Sequence, residues 1–239
     1  MNAPLNPKRT IAELKELRAL TGDDNGAQRV AFTPTWVKAR EWYQKKLEGL
    51  PVEIHRDAAG NLWTTLRGAS EKCLLIGGHI DSVPNGGWLD GCLNVMAGVE
   101  ILRRINAQHG GKPPVTVRLV DWADEEGARF GKSLFGSSAC SGNLDMNEAR
   151  GLVDKQGIKL PDALKNVGKI ADISRGQAGA DSRSGSSSRS GRQFVGDIER
   201  QVEKITAHRR PHRFRSKRRL AGRLPECVGG LGGSAADRI

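Results

Sequence analysis

Apolar positions in the first 172 residues recur at helical spacing in some stretches and form short, strand-like runs in others. The recurrence of Ile11, Leu14, Leu17 and Leu20 predicts a first helix, with Thr10 as a candidate cap. The whole pattern predicts helices near 11–20, 34–47, 92–106 and 162–167, and strands near 52–56, 61–67, 72–79 and 115–122. We therefore expect an α/β fold in which a central β-sheet is flanked by helices.

Three details of this pattern concern positions near chemically active side chains. The Asp57–Asn61 link predicts a hairpin between the first two strands. The run 72–79 is apolar and contains two glycines near its end, so it predicts a short buried strand that ends at His79. The helix near 92–106 is apolar on more than one face, which indicates that it is buried.

Charge divides the chain into two parts. Residues 1–172 contain 23 Lys plus Arg and 21 Asp plus Glu, whereas residues 173–239 contain 15 and 6. All five Trp lie in the first part, and residues 176–192 are rich in Gly, Ser and Arg. We expect one folded region over 1–172 and a basic, low-complexity tail over 173–239 that is disordered by composition.

The remaining composition bears on the compartment. The four cysteines, Cys73, Cys92, Cys140 and Cys227, form no closely spaced pair, and the first residues lack the apolar segment of a secretory signal. No apolar window reaches the length that spans a membrane. A reducing cytoplasm without membrane attachment is the expected location.

Candidate chemistry begins at His79, where the third strand ends. Open α/β sheets form their sites at such strand ends. An imidazole nitrogen is a good ligand for divalent ions such as Zn²⁺, Co²⁺ or Mn²⁺. Asp81 follows two residues later, and its carboxylate can accept a hydrogen bond from the other ring nitrogen and fix the orientation of the ring.

Acidic residues supply further candidate ligands. Asp90 ends a glycine-rich turn before the buried helix, where it can either cap backbone N–H groups or bridge two cations. Asp124, Glu125 and Glu126 follow the fourth strand and are either a solvated acidic turn or part of the same site. On extended backbone, adjacent glutamates point in opposite directions, so one can bind a metal while the other faces the substrate.

Together these stretches resemble a known family. The sequence Gly77-Gly-His-Ile-Asp-Ser-Val-Pro-Asn-Gly-Gly-Trp-Leu-Asp-Gly91, followed by Asp124-Glu-Glu-Gly-Ala-Arg-Phe130, is similar to the carbamoylase and allantoate amidohydrolase branch of the dinuclear, M20-type amidohydrolases. The closest resemblance is to N-carbamoyl-L-amino-acid hydrolases. These enzymes complete hydantoin breakdown by cleaving the carbamoyl C–N bond of an N-carbamoyl amino acid.

The resemblance implies roles for individual residues. His79 would bind one metal, Asp90 would bridge both metals, Glu126 would bind the second, and Glu125 would be the general base beside the orienting Asp81. It also implies two divalent ions, drawn from Zn, Mn, Co or Ni, and a small-molecule substrate, which is an N-carbamoyl amino acid or a ureide. With this resemblance, Asp124, Glu125 and Glu126 are better interpreted as part of the site than as a solvated acidic turn.

The resemblance covers residues up to about 172. The family continues with a His-Ile-Glu ligand motif, an inserted lid domain that also forms the dimer, and a last ligand histidine, and none of these is recognisable in this sequence. His208 and His212 have metal-ligand spacing, but the arginines around them would repel a cation. We therefore expect a partial catalytic domain with impaired activity, and no family-type homodimer.

Two explanations of residues 173–239 stay open. The abrupt change to Arg, Ser and Gly is typical of out-of-frame translation of GC-rich DNA. Alternatively, the segment is a basic arm that binds nucleic acid or another polyanion through phosphate contacts. The sequence thus supports two hypotheses, an amidohydrolase of the carbamoylase type and a non-catalytic basic protein on a degraded enzyme scaffold.

Overall fold

A computed structural model describes residues 4–70 and 72–176 of the chain. Its helices are α1 (Pro7–Thr21), α2 (Pro34–Lys45), α3 (Cys92–His109), α4 (Phe135–Ser141), α5 (Met146–Gly151) and α6 (Leu160–Gly176). Its strands are β1 (Gly22–Asp23), β2 (Gly26–Ala27), β3 (Val52–Arg56), β4 (Leu62–Leu66), β5 (Cys73–His79) and β6 (Thr116–Trp122). Within these described residues, no helix is both long and apolar enough to cross a membrane.

Strands β3 to β6 form one sheet in the order β3-β4-β6-β5, and β1 and β2 form a separate short hairpin. β3, β4 and β6 pair antiparallel, whereas β5 and β6 pair parallel and are joined through α3. A parallel pair needs such a crossover because its two strands run in the same direction. The predicted α/β class, with a central sheet flanked by helices, is confirmed.

β5 lies at the edge of the sheet, which corrects the expectation of a buried strand. Among the described residues it pairs with β6 alone. Leu74 and Leu75 are therefore both about half exposed, although they are neighbours and point to opposite faces. The apolar run identified a strand correctly, but an apolar run does not reveal whether a second strand covers its outer edge.

The start of α1 also differs from the prediction. Asn6 caps this helix by accepting a hydrogen bond from the backbone N–H of Arg9 at 3.1 Å, and Pro7 occupies the first helical position. Thr10, the predicted cap, lies inside the helix and is buried. Asn followed by Pro satisfies both the capping preference and the proline preference of a helix start, so the helix begins four residues earlier than the apolar spacing indicated.

Other predicted elements are confirmed. α2 begins at Pro34, where Thr33 caps it, and the Asp57–Asn61 segment joins β3 and β4 as a hairpin. The Asp57 carboxylate stabilises this turn by accepting hydrogen bonds from the backbone N–H groups of Ala59 and Asn61. The hairpin of β1 and β2 and the helices α4 and α5 were not predicted, because short elements carry little periodicity.

Two apolar clusters stabilise the described residues. The first joins α1, α2 and α3 to the sheet through side chains such as Leu17, Tyr43 and Leu119. The second collects Phe32, Trp36 and residues of α4, α5 and α6. The tail was predicted to begin at residue 173, but α6 extends to Gly176, so the first four residues of the predicted tail are helical. The rest of the predicted tail, with the His208 and His212 pair, lies outside the described part of the chain.

Candidate metal centre

The parallel pairing of β5 and β6 brings two predicted stretches to one edge of the sheet. His79 is the last residue of β5 and pairs in register with Trp122, the last residue of β6. The Asp124–Gly127 turn begins two residues after Trp122, so it lies beside His79. Asp90 lies in the loop that connects β5 to α3. Three stretches that are far apart in the sequence therefore meet, as the sequence predicted.

The ring of His79 is fixed by main chain rather than by the predicted carboxylate. Nδ1 lies 3.0 Å from the backbone oxygen of Asp81 but 3.8 Å from Oδ1 of the same residue. A carbonyl oxygen only accepts, so Nδ1 donates the proton, and in the neutral ring Nε2 keeps its lone pair. The ring is thus oriented as expected for a metal ligand, although the contact comes from the Asp81 backbone.

Nε2 of His79 faces carboxylates. Oδ1 of Asp90 lies 3.9 Å from it, and Oε2 of Glu125 lies 3.4 Å from it. The Asp90 side chain is 65% exposed, and α3 is preceded by Gly91 without a side-chain cap. The capping alternative for Asp90 is therefore not observed, and its carboxylate is available to a ligand.

Gly91 is the residue that allows this approach. Its φ of 62° lies in the left-handed region, and a Cβ atom at this position would lie 2.4 Å from the backbone oxygen of His79 and 2.5 Å from two ring carbons. No other residue type fits without displacing the ring. Because Gly91 has no side chain, the Asp90 carboxylate can lie close to the His79 ring.

The two glutamates lie in a turn and not on extended backbone. β6 ends at Trp122, and Asp124 adopts a φ of 52°, which bends the chain. The expectation that the two glutamates lie on extended backbone is therefore wrong. The Glu125 carboxylate reaches His79, and the backbone N–H of Glu126 donates to Oδ2 of Asp81 at 3.2 Å. Which glutamate is ligand and which is base stays a prediction.

Asp124 is buried, so the acidic turn is not simply solvated. Burial, followed by the nearby charge of Asp81, raises the pKa of the Asp124 carboxyl to about 7. Burial likewise raises the pKa of Asp81 to about 6. One oxygen of each carboxyl group, Oδ1 in both cases, is buried without a hydrogen-bond partner among the described residues. A buried acceptor without a partner destabilises the fold, so these two oxygens indicate a position for a cation, a proton or a water molecule.

These observations fit part of a metal site. A ring nitrogen and two carboxylates converge within 4 Å, and groups of this kind repel one another unless a positive charge lies between them. Among the described residues, however, no group of three or more His, Cys, Asp and Glu side chains has the arrangement of a metal site. The residues present supply nitrogen and oxygen donors suited to Zn²⁺, Mn²⁺ or Co²⁺, and a full set of ligands needs further donors.

Beneath His79 lies a buried ion pair that sequence reasoning did not assign. Asp121 and Arg40 have side chains 0% and 6% exposed, and the Arg40 Nε lies 2.6 Å from Oδ2 of Asp121. Arg40 also donates to the backbone oxygen of Gly60 and stacks on the ring of Trp36, 3.7 Å from its centroid. The available signal was a carboxylate inside an apolar strand, since a buried charge requires a partner.

Arg29 is a second buried charge beneath the site and was likewise missed. Its side chain is fully buried, and its Nε donates to the backbone oxygen of Ile80 at 2.8 Å. Another guanidinium nitrogen lies 3.1 Å from Sγ of Cys92. We call Arg29, Arg40, Ile80 and Asp121 the floor of the site, and Asp90, Glu125 and Glu126 its rim.

Comparison with known proteins accords with this geometry. Residues 75–183 match the profile of Peptidase family M20/M25/M40, a range that includes most of β5, the Asp90 loop and the turn after β6. This segment of the chain is therefore similar to a peptidase M20 domain. The M20 match places every predicted site residue inside the matched range.

Two proteins that are similar to this chain have informative names. The N-carbamoyl-L-amino acid amidohydrolase of Geobacillus stearothermophilus is 37% identical over 149 residues, which are 62% of this chain and 36% of that protein. The allantoate amidohydrolase of Escherichia coli is 32% identical over 145 residues, which are 60% of this chain and 35% of that protein. The chain therefore spans little more than a third of the length of these relatives.

A solved structure is similar as well. A hydantoinase/carbamoylase family amidase from Burkholderia ambifaria superposes with a TM-score of 0.65 at 30% identity, covering 69% of this chain and 41% of that one. The resemblance seen in the sequence is confirmed as similarity to the M20 profile, to these amidohydrolases and to the fold of this amidase. These comparisons give no support to the alternative hypothesis of a nucleic-acid-binding protein.

Proposed function

We propose that residues 1–172 are the N-terminal part of the catalytic domain of a metal-dependent amidohydrolase. The reaction would be cleavage of the carbamoyl C–N bond of an N-carbamoyl-L-amino acid or a related ureide, as in hydantoin or ureide breakdown. The observation that carries this proposal is the convergence of His79, Asp90 and Glu125 at the shared end of β5 and β6. The names of the amidohydrolase relatives support it.

In this proposal His79 and Asp90 hold the metals together with Glu126, and Glu125 is the general base. The Nε2 lone pair of His79 already faces the Asp90 carboxylate, with the ring fixed by the Asp81 backbone. Two divalent ions, when bound, would polarise the ureido carbonyl and acidify a water molecule. The ions would also neutralise the acidic rim.

Proton transfer is the part of the chemistry that falls to Glu125. Its side chain is partly exposed, so it can reach both the site and a bound substrate. The carboxylate takes a proton from the attacking water and then delivers it to the leaving nitrogen. Addition to the carbonyl followed by release of that nitrogen frees the amino acid, and the carbamoyl group leaves as carbon dioxide and ammonia.

We further propose that the chain in its present form is catalytically impaired. His79, Asp90 and Glu126 are three of the roughly five protein ligands that a shared two-metal site requires. The described residues offer no group that completes the set. We expect the chain to bind one metal ion weakly and to hydrolyse substrate far more slowly than a complete enzyme.

Metal binding and hydrolysis by the purified chain test both parts. Zinc titrated calorimetrically into the full chain should bind with an affinity that falls at least roughly tenfold in His79→Ala, because the ring nitrogen is a ligand. Ammonia release from N-carbamoyl amino acids, allantoate and ureidopropionate should be undetectable. Zinc binding that ignores His79 would overturn the proposed site, whereas rapid hydrolysis would overturn only the proposed impairment.

A chimera tests the catalytic role independently of the missing ligands. Residues 4–168 of this chain would replace the aligned segment of the Geobacillus stearothermophilus amidohydrolase. The chimera should hydrolyse N-carbamoyl amino acids, and Glu125→Gln should lower kcat by at least roughly a hundredfold because the base is lost. Glu53→Gln, an exposed carboxylate on β3, is the matched control. A folded, metal-loaded chimera whose kcat is insensitive to Glu125→Gln would contradict the assignment.

A further inference from the structure

Ile80 connects the two residues that orient the metal centre. Its backbone lies between His79, which presents Nε2 to the rim, and Asp81, whose backbone oxygen accepts from Nδ1 of His79. The side chain of Ile80 is fully buried in the first apolar cluster. The orientation of the imidazole ring therefore depends on how the peptide groups on either side of Ile80 are held.

The first of these peptide groups is held by a negative charge. The backbone N–H of Ile80 donates to Oδ1 of Asp121 at 2.8 Å, while Oδ2 of Asp121 receives the Arg40 guanidinium. Each carboxylate oxygen thus has its own donor. Asp121 also lies three residues before Asp124, so this hydrogen bond ties the end of β5 to the segment that leads into the acidic turn.

The second peptide group is held by a positive charge. The backbone oxygen of Ile80 accepts from Nε of Arg29 at 2.8 Å, and another nitrogen of the same guanidinium contacts Sγ of Cys92. The backbone oxygen of Arg29 accepts from the N–H of Ser82 at 3.0 Å. Cys92 begins α3 two residues after Asp90, so Arg29 joins the His79 segment to the Asp90 segment.

We propose that Arg29 and Asp121 are positioning residues for the metal centre, which fix the His79 ring by holding both polar groups of Ile80. This inference rests on the proposed function, in which His79 is a ligand. Together the two side chains join the three stretches that carry the site, although neither touches the rim. Charged hydrogen bonds to main chain are stronger and more directional than neutral ones, and both lie away from water.

Two substitutions separate positioning from simple stability. Asp121→Asn keeps the size of the side chain, but an amide has one acceptor oxygen and cannot serve both Ile80 and Arg40. Arg29→Lys keeps the charge, but an ammonium lacks the planar fork that reaches Ile80 and Cys92 together. Asp154→Asn is the matched control, because Asp154 forms another buried ion pair, with Arg129 at 2.9 Å, outside the floor and the rim.

The readout is the tautomer of His79 in the metal-free full chain, measured from the ring nitrogen shifts by ¹⁵N NMR. Wild type should show one tautomer with the proton on Nδ1. Asp121→Asn and Arg29→Lys should show a mixture of tautomers and a zinc affinity lowered about 10- to 100-fold, as expected when a group that orients a ligand is lost. Asp154→Asn should keep the single tautomer and the wild-type affinity, even where its melting temperature falls.

Folded variants that retain the single tautomer would overturn the inference, whatever their zinc affinity. If Asp121→Asn does not fold, Arg29→Lys decides the question alone. The proposed function fails separately, through absence of zinc binding in wild type. In that case a tautomer that still depends on Arg29 and Asp121 would continue to support positioning of the ring.

Discussion

The floor and the rim of the site lie within a few ångströms of each other but are built in opposite ways. In the floor, Asp121 and Arg29 are fully buried, and the polar groups of Ile80 both have charged partners. In the rim, Asp90 is mostly exposed and Glu125 is partly exposed, and both face the same imidazole nitrogen. The charged side chains of the floor have hydrogen-bond partners within the fold, whereas the rim keeps negative charge that requires an external cation.

This difference indicates which residues of the site determine stability and which determine cation binding. A buried ion pair is costly to break, because the remaining charge loses both its partner and water. An exposed carboxylate can be changed with little effect on stability but with a large effect on a bound cation. We therefore expect substitutions in the floor to lower the free energy of unfolding in addition to any effect on the His79 ring, and substitutions in the rim to change ligand binding with little effect on stability.

Removal of Arg40 should have the largest effect on stability. Arg40→Met leaves Asp121 buried without its cation and removes the contact with Gly60, so the free energy of unfolding should fall by about 3–5 kcal/mol. Urea denaturation followed by circular dichroism measures this change. Arg67→Met is the control, since the pair of Arg67 with Glu53 is exposed, and its loss should cost less than about 1 kcal/mol. Equal losses in the two variants would remove the distinction between floor and surface.

The fold could be predicted from the sequence wherever periodicity was strong. β3, β4, β5, β6, α2 and α3 were predicted within a few residues, because apolar spacing reports which face is buried. The edge position of β5 was not predicted, since Leu74 and Leu75 look the same in a central strand and in an edge strand. Sheet order depends on pairing between distant segments, which local spacing does not encode.

The rim was predicted more completely than the floor. Asp90 and Glu125 belong to recognisable motifs, and the structure brings both of them to His79. Arg29 and Arg40 belong to no motif, and each lies in a segment that is otherwise ordinary. Their role depends on contacts with residues more than 50 positions away, so only the folded chain reveals it.

Burial of Asp124 should destabilise the folded chain, in contrast to the buried side chains of the floor. The Asp124 carboxyl group is buried with an orphaned oxygen, and its pKa is raised to about 7 from 3.8. A raised pKa means that the folded state favours the protonated form. The metal-free chain should therefore lose stability as pH rises from about 4 to about 7, by up to about 4 kcal/mol at about 1.4 kcal/mol for each pKa unit.

Asp124→Asn tests this directly. An amide is neutral at every pH and tolerates the left-handed φ of 52°, so the variant should be more stable than wild type at pH 8 and nearly equal to it at pH 4. Thermal unfolding in the presence of a chelator, at several pH values between 4 and 8, measures the difference. A variant whose loss of stability with pH matches that of wild type would assign the titration to another group, such as Asp81.

Asp90→Asn should have the smallest effect on stability and the clearest effect on ligand binding. The side chain caps no helix and is mostly solvent-exposed, so the free energy of unfolding should change by less than about 0.5 kcal/mol. Zinc affinity should nevertheless fall roughly tenfold or more, because an amide oxygen carries no charge to hold a cation. Asp162→Asn, an equally exposed carboxylate on α6, should leave both quantities nearly unchanged. A loss of stability above about 1 kcal/mol in Asp90→Asn would show that the rim also supports the fold, and the contrast with the floor would then be one of degree.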